Sequence, residues 1–275
     1  MTIKQLVDNG NIPWVMNIPD HITKVVVHDG TFHADDVFCV AILKECFKED
    51  ITVRRIPRNA DIEKYGYDTL ICDIGGEYDG VNYFDHHQFP ARSLRKQELR
   101  AAIGLLWDVY GNQMYHKTTS MIRDIDRHDC DSRQFRSQLA VTIGSFNPDW
   151  AASDKERDRC FDMAVNVVRQ LIRASIISDT FNMRAIRQVS ENHTIENNVM
   201  FLETNAPYES FISEYEEVKV VARKAGNRYK LKAVNGYSFS PTWSGDPPFP
   251  NMLMKNWIID CGSRETAIKI AALLK

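Results

Sequence analysis

Short apolar runs alternate with longer amphipathic stretches through the first 110 residues of the chain. Residues 34–47 and 94–110 place apolar side chains at helical intervals, and the second stretch stops at Gly111, as a helix C-terminus commonly does. Four shorter runs have the composition of strands: residues 25–27, 51–56, 69–74 and 81–84. Strands that alternate with helices predict an α/β fold with a mostly parallel sheet.

The pattern changes twice after residue 110. Residues 116–190 are predicted to be mostly helical, with residues 154–177 as the longest amphipathic stretch. The elements predicted beyond them are strands at residues 218–222, 229–234 and 257–260 and a helix at residues 265–274. We therefore predict an N-terminal parallel-sheet domain over residues 1–145, a helical connector over residues 146–195 and a smaller α/β domain over residues 196–275.

The bulk composition is that of a globular protein. The chain has 275 residues, 44% of them hydrophobic and 26% charged, and a net charge of −3, so it exerts no global attraction on polyanions. A phosphate-bearing substrate would have to be attracted locally. The six cysteines are dispersed without a CxxC pair, and no apolar run reaches 18 residues. We expect a cytoplasmic protein with reduced thiols and no membrane partner, and the sequence leaves the oligomeric state open.

Histidine and aspartate are concentrated at the predicted strand ends. Four clusters, at residues 28–36, 69–76, 82–89 and 124–129, together contain five of the eight histidines, and residues 69–76 contribute an aspartate, Asp73, rather than a histidine. Ligands of open parallel sheets gather beyond the carboxyl ends of the strands, so we expect the first three clusters to meet at one edge of the sheet.

Mixed imidazole and carboxylate ligands favour a divalent transition metal, whereas sites made only of oxygen favour Mg²⁺ or Ca²⁺. The candidates exceed the needs of one tetrahedral site and match a pair of cations that share a carboxylate. Two such cations about 3.5–4 Å apart activate water and neutralise phosphoryl oxygens, which predicts hydrolysis of a phosphoester or phosphoanhydride. The candidate ligands are His28, His33, Asp35, Asp73, His86 and Asp129.

Each cluster has a simpler interpretation when it is taken alone. His33 and Asp35 could belong to an ordinary surface loop, and adjacent histidines such as His86 and His87 occur by chance. Asp126 and Asp129 lie three residues apart and could cap a helix or line its solvated face. The joint occurrence of the clusters, in this order and mostly at strand ends, favours the metal site.

Several segments resemble the DHH phosphoesterase superfamily, and within it the MYG-type family related to melanocyte-proliferating-gene protein. The resemblance covers roughly residues 24–275. The segments that carry it are residues 28–36, similar to the family's HxGTFHADE, residues 73–79, similar to DVGGxYD, residues 84–88, similar to YDHHQ, residues 99–111, similar to a family helix, residues 126–129, similar to DxxDNG, and residues 229–234, similar to WxVQAV.

The resemblance implies a two-lobe, metal-dependent phosphodiesterase with 3′-to-5′ exonuclease activity on RNA or short oligonucleotides. Two divalent cations are implied, with Mn²⁺ preferred and Mg²⁺, Co²⁺ or Zn²⁺ as alternatives. His28, His33 and Asp73 would bind one cation, and Asp35, Asp73, His86 and Asp129 the other. His87 would donate a proton or hydrogen bond to the phosphate, and Asp85 would orient the imidazoles.

The sequence departs from the family pattern at two places. Asp129-Cys130-Asp131 replaces the family's Asp-Asn-Gly, so Asp126 and Asp129 both stay candidates for the last ligand. Gly262, Ser263 and Arg264 stand where the family has a glycine pair; they are our candidates for substrate binding at a helix N-terminus. Two alternative functions stay open, a phosphatase for pyrophosphate, polyphosphate or a nucleotide, and a metal-stabilised binding protein without turnover.

Overall fold

The first sheet has four parallel strands in the order β2-β1-β3-β4. They are β1 (Lys24–His28), β2 (Thr52–Ile56), β3 (Thr69–Cys72) and β4 (Tyr83–Phe84). The structure, a computed structural model, describes residues 14–87, 100–239 and 258–274, and the backbone of residues 253–255. The chain is α/β, and the predicted parallel sheet is confirmed.

Within the described residues, five helices accompany this sheet: α1 (Ala34–Cys46), α2 (Ala102–Tyr110), α3 (His116–Cys130), α4 (Gln138–Gly144) and α5 (Asp154–Glu191). All residues of α1 except Lys44 are buried, because this helix packs against the sheet and against α2, α3 and α4. The burial explains why its apolar residues cover more than one face. The predicted helix start at residues 94–99 lies outside the described residues, and Arg100 and Ala101 are not helical.

Helix α5 is longer than its amphipathic pattern predicts. It continues past residue 177 to Glu191, for 38 residues in all. The chain divides into two compact units, residues 1–180 and 181–275, and the boundary falls inside this helix. The domain bounds given above stay a prediction. None of the helices in the described ranges is both long and apolar enough to cross a bilayer.

The second unit contains a six-stranded mixed sheet in the order β5-β6-β7-β8-β10-β9. Its strands are β5 (His193–Glu196), β6 (Val199–Leu202), β7 (Val220–Ala225), β8 (Arg228–Ala233), β9 (Leu253–Lys255) and β10 (Ile258–Cys261), with helices α6 (Glu209–Ile212) and α7 (Arg264–Ala272). Phe201, Leu231, Ile259 and Ile270 belong to its core. The β5–β6 hairpin was not predicted; its turn uses Asn197 and Asn198 at positive φ, a conformation that asparagine tolerates better than most residues.

Candidate metal centre

Three parallel strands deliver their polar residues to one edge of the first sheet. His28 is the last residue of β1, Asp73 follows β3, and Asp85 to His87 follow β4. Val26 pairs with Ile71. Because the strands are parallel and in register, their carboxyl ends lie together, as the sequence predicted.

A constrained turn presents Asp73. Its φ of +55° is in the left-handed region, and its backbone N–H donates to the carbonyl of Phe84 at 3.1 Å. Gly75 follows at φ +96°, and a β-carbon there would come within 2.2 Å of Ile62. Residues other than glycine occupy positive φ mainly where the surrounding structure holds them, often at functional sites. The surrounding structure therefore holds Asp73 in an uncommon backbone conformation that places its carboxylate at the edge of the sheet.

The two oxygens of Asp73 face different imidazoles. Oδ2 lies 3.2 Å from His28 Nε2, whereas Oδ1 lies 3.5 Å from His86 Nε2 and 3.3 Å from His87 Nδ1. The histidines hold the pKa of Asp73 well below its ordinary value, because their hydrogen bonds and charges outweigh the desolvation that would raise it. A carboxylate in this position can bridge two cations.

The first turn of α1 contributes two buried aspartates, Asp35 and Asp36, and Asp36 stabilises the start of the helix. Asp36 Oδ1 accepts from the backbone N–H groups of His33 at 3.0 Å and Val37 at 2.7 Å, and its Oδ2 lies 3.4 Å from His28 Nε2. Asp36 thus fixes the start of the helix and faces a predicted ligand. It was not among the predicted ligands, although an acid three residues after a helix N-cap is a recognisable capping signal.

Asp126 and Asp129 are separated by the packing of α3. Asp129 Oδ2 lies 3.1 Å from His86 Nε2. Asp126 instead accepts from the backbone N–H of Ala101 at 3.0 Å, and a β-carbon at Gly104 would come within 2.2 Å of its Oδ2. Burial raises the pKa of Asp126 to about 7. Asp129 therefore faces the centre, and Asp126 caps the start of α2.

The side chains form overlapping groups that could each hold a cation. Within each group one nitrogen, oxygen or sulfur per residue lies within 4.8 Å of the others. The groups are His28, His33 and Asp73; His33, Asp35 and Asp129; His86, Asp129 and Cys130; and Asp73, Asp85, His86 and His87. All six predicted ligands are thus brought together. Cys130 was missed; its Sγ lies 3.7 Å from His86 Nδ1, a contact that depends on how α3 packs.

The environment of Asp35 shows whether these residues suit a bound cation. Its side chain is fully buried, and neither carboxylate oxygen accepts a hydrogen bond from the described residues. Burial, together with the nearby charges of Asp73 and Asp129, raises the pKa of this carboxyl well above its ordinary value. A buried carboxylate without donors is costly, and a cation would supply what the protein leaves out. The residues therefore fit a metal centre.

The two adjacent histidines are surrounded by acids. Burial alone would lower the pKa of His86, but hydrogen bonds to Asp129 and Asp73 raise it to about 12. Hydrogen bonds to Asp73 and Asp85 raise the pKa of His87 to about 9. Since the centre carries more carboxylates than the imidazoles balance, it attracts positive charge.

Asp85 contacts His87 through two hydrogen bonds and is itself held by the backbone at Gly76. Its Oδ1 accepts from the backbone N–H of His87 at 3.0 Å and interacts with His87 Nδ1 at 2.8 Å, and its Oδ2 accepts from the backbone N–H of Gly76 at 2.6 Å. The His87 side chain is 48% exposed. With Nδ1 engaged, Nε2 is the nitrogen that His87 can offer to a ligand.

Two cavities adjoin the centre. The Arg58 cavity, about 500 Å³, is lined by residues that include Arg58, Ile62, Asp73, Gly76, Asp85 and His87. The His128 cavity, about 450 Å³, is lined by residues that include Phe32, His33, Ile125, His128, Asp129 and Gly144. The guanidinium of Arg58 lies 3.1 Å from His28 Nε2, so a cation of the protein stands at the edge of the centre.

Other basic residues near the motifs serve the fold. Arg55 donates to the carbonyl of Gly30 at 2.7 Å, pairs with Asp158 and stacks 4.6 Å from the ring centroid of Phe161. Arg100 pairs with Asp108. Arg58, by contrast, contacts a predicted metal ligand, His28.

The predicted substrate-binding residues lie in the second unit. Ser263 is the N-cap of α7, and its Oγ accepts from the backbone N–H of Thr266 at 3.1 Å. Arg264 donates to Thr194 Oγ1 at 2.8 Å and lies 4.0 Å from the ring centroid of Phe201. Gly262 has open space around its α-carbon. Their role in binding stays a prediction.

Comparisons with known proteins extend beyond the motifs. The MYG1_exonuc family, described as an uncharacterised protein family (UPF0160), matches residues 24–240. A MYG1 protein of Chlamydia trachomatis is 38% identical over an alignment of 190 residues, and the match covers 66% of this chain and 63% of that protein. The human MYG1 exonuclease is 23% identical over an alignment of 183 residues, and the match covers 54% of this chain and 48% of that protein.

The matches to curated relatives span between 24% and 63% of those proteins' own lengths. Among solved structures, a pGpG-specific phosphodiesterase, PggH from Vibrio cholerae, aligns over 90% of this chain and 96% of its own, with a TM-score of 0.35 and 12% identity. That likeness is too distant to bear on fold or function. The family match covers most of the chain, and the chain belongs to the MYG1 (UPF0160) family.

Proposed function

We propose that the chain is a metal-dependent phosphodiesterase that acts as a 3′-to-5′ exonuclease on RNA or short oligonucleotides, with two divalent cations, Mn²⁺ in preference. The observation that carries this proposal is the buried carboxylate of Asp35, which has no donor among the described residues and faces Asp73, His86 and Asp129. A binding site for cations at the edge of a parallel sheet is suited to phosphoryl chemistry.

The family supports the choice of reaction. Relatives from human and cattle are named MYG1 exonuclease, and we extend that activity to this chain. The resemblance to the DHH superfamily supplies the ligand allocation: His28, His33 and Asp73 for one cation, and Asp35, Asp73, His86 and Asp129 for the other. Bound cations would act as Lewis acids toward the phosphoryl group and lower the pKa of water.

The protein's own residues position the phosphate and move protons. Asp85 accepts a hydrogen bond from His87 Nδ1–H, and the raised pKa of His87 keeps the ring protonated, so its Nε2–H can donate to a phosphate oxygen or to the leaving group. Arg58 lines the same cavity and can donate to a second phosphate oxygen. We propose that Gly262, Ser263 and Arg264 contribute further substrate contacts from the second unit.

Elemental analysis of the purified protein, followed by a substrate panel with Mn²⁺, tests the proposal. We expect bound divalent metal and stepwise shortening of a 5′-labelled RNA. Release of phosphate from pyrophosphate or polyphosphate, with RNA left intact, would instead identify a small-substrate phosphatase. A rise in melting temperature on adding Mn²⁺ without any product would identify a metal-stabilised binding protein.

A further inference from the structure

The His128 cavity differs in chemistry from the Arg58 cavity on which the proposed function draws. Its lining includes Phe32, Ile125 and Val141, and no lysine or arginine is among the described residues that line it. Asp129, a predicted metal ligand, is the single acidic side chain among the described residues of the lining. A wall of this kind suits an uncharged, partly apolar group better than a phosphate.

The cavity is built into the fold. Asn147 ties two of its walls together, because its Nδ2 donates to the carbonyls of Phe32 at 2.8 Å and Gly144 at 3.1 Å, and its Oδ1 accepts from the backbone N–H of Phe32 at 3.0 Å. The two bonds to Phe32 join segments 115 residues apart in sequence. The volume of about 450 Å³ lies within the roughly 300–1,000 Å³ usual for ligand pockets.

His128 lines the cavity, and the backbone engages one of its two ring nitrogens. The backbone N–H of Ser137 donates to its Nδ1 at 3.2 Å, so Nδ1 accepts and a neutral ring carries its proton on Nε2. No partner of Nε2 is found within the described part of the chain. The hydroxyl groups of Thr31 and Ser132 also line the cavity. A ligand here would meet an apolar wall together with a few polar groups at fixed positions.

The His128 cavity lies beside the candidate metal centre. His33 and Asp129 line it and also belong to the groups that could hold a cation. Whatever fills the cavity therefore lies directly beside the phosphate that the centre would attack. In a nucleotide, the neutral and partly apolar group next to a phosphate is the nucleoside.

We infer that the His128 cavity binds the nucleobase of the terminal nucleotide of the substrate, with His128 Nε2–H donating to an acceptor on the base. This inference rests on the proposed function and adds the reason why a nucleic acid, rather than a simple phosphate ester, would be the substrate. It also assigns separate places to base and phosphate, the His128 cavity for the base and the centre with Arg58 for the phosphate.

Gly144 gives a direct test. A β-carbon built there meets no atom within 4 Å, and φ is not in the left-handed region, so the fold tolerates a side chain at this wall of the cavity. Gly144→Phe should narrow the cavity, with Gly144→Ala showing a smaller effect. Thr142→Phe is the matched control, since Thr142 is an exposed residue of the same helix and is not in the cavity lining.

The first readout is binding without turnover. With Mn²⁺ present, calorimetry compares adenosine 5′-monophosphate with ribose 5-phosphate, which lacks the base. We expect wild-type protein to bind the nucleotide about tenfold more tightly, the size of a modest base contact. Gly144→Phe should abolish this preference, and Thr142→Phe should keep it. His128→Phe, which retains an aromatic ring but has no donor, should reduce the preference about fivefold.

The second readout is hydrolysis of short RNAs that end in a normal or an abasic 3′ nucleotide. Gly144→Phe should lower kcat/KM about tenfold for the normal end and leave the abasic end within about twofold. Equal binding of both ligands by wild-type protein, or equal losses on both RNAs in Gly144→Phe, would overturn the inference while the exonuclease stands. Base-dependent binding without cleavage of either RNA would overturn the exonuclease instead.

Discussion

Helix α1 carries a buried carboxylate near each end, and the surrounding protein treats the two in opposite ways. At the C-terminal end, Glu45 Oε1 accepts from Arg173 at 2.7 Å, and its Oε2 accepts from Arg173 at 3.0 Å and Arg169 at 3.3 Å. At the N-terminal end, the two oxygens of Asp35 accept no hydrogen bond from the described residues. The same helix therefore contains a satisfied and an unsatisfied buried acid.

This difference in hydrogen bonding distinguishes an acid that stabilises the fold from an acid that is available to a ligand. Glu45 is 4% exposed and Asp35 is 0% exposed, so burial alone does not distinguish them. Glu45 holds α1 to α5 through an ion pair that the fold completes by itself. Asp35 is left to a partner that the polypeptide does not supply, which is how a metal ligand is expected to look before the cation binds.

The largest expected effect follows from removing the shared carboxylate. Asp73→Asn keeps the shape of the side chain but removes the charge that both predicted cations would share. We expect loss of at least one bound metal by elemental analysis and a fall in kcat of about 1,000-fold or more on RNA. Retention of both metals and of activity would refute the shared-carboxylate assignment.

Asp68→Asn is the control for this loss. Asp68 lies just before β3, at the opposite end from Asp73, and pairs on the surface with Lys24 at 2.7 Å. Since exposed pairs contribute little, this variant should keep its metals and its turnover. If both variants lost metal and turnover to a similar extent, any change of charge next to β3 would impair the centre. The loss in Asp73→Asn would then not show that the protein uses this carboxylate for metal, and the contrast between Asp35 and Glu45 would lose its support.

His87→Ala should separate proton donation from metal holding. The side chain is 48% exposed and is not among the predicted metal ligands, so metal content and melting temperature should change little. Loss of a positioned general acid commonly costs about 100-fold in kcat. Part of this loss should disappear with a substrate whose leaving group is a good one, such as p-nitrophenolate. An unchanged kcat on RNA would remove His87 from the mechanism.

Glu45→Gln should destabilise the fold and leave the metal centre intact. The variant deprives Arg169 and Arg173 of their buried partner, and both arginines are only partly exposed, 16% and 38%. We expect a loss of about 2 kcal/mol in the free energy of unfolding, at the low side of buried pairs because solvent reaches the arginines. Denaturant unfolding measures it, and metal content should match that of wild-type protein.

Glu49→Gln is matched to Glu45→Gln, because Glu49 also pairs with Arg169, at 3.0 Å, but is 66% exposed. Its loss should cost well under 1 kcal/mol. Equal losses in the two variants would show that burial does not determine how much each ion pair contributes to the free energy of unfolding at this end of α1.

The two ends of α1 also show what sequence patterns can and cannot predict. The strand ends and the six candidate ligands were accessible from sequence, because periodicity is local and parallel strands align their carboxyl ends. The pairing of Glu45 with Arg169 and Arg173 joins residues 124 and 128 positions apart, and no local pattern encodes it.

The packing of α3 decided what the sequence left open. Asp126 and Asp129 are neighbours on one helix, yet the first meets the start of α2 and the second meets His86. The contact of Cys130 with His86 and the walls of the His128 cavity depend on the same packing. Sequence spacing places such residues on a helix but does not say which neighbour each one faces.

The last expected effect is small, and its sign is its most diagnostic feature. Asp35→Asn removes a buried carboxyl that has no donor among the described residues and whose raised pKa costs the folded state free energy at neutral pH, so in EDTA the variant should be more stable than wild-type protein, by about 1 kcal/mol. With Mn²⁺ the order should reverse, because binding to the folded state stabilises only the protein that keeps its ligands. Thermal unfolding with and without Mn²⁺ measures both. Replacing a structural acid such as Glu45 should destabilise the protein with or without Mn²⁺. If Asp35→Asn lost stability in EDTA, Asp35 would be a structural acid of the same kind, and the main observation in favour of the metal centre would be lost.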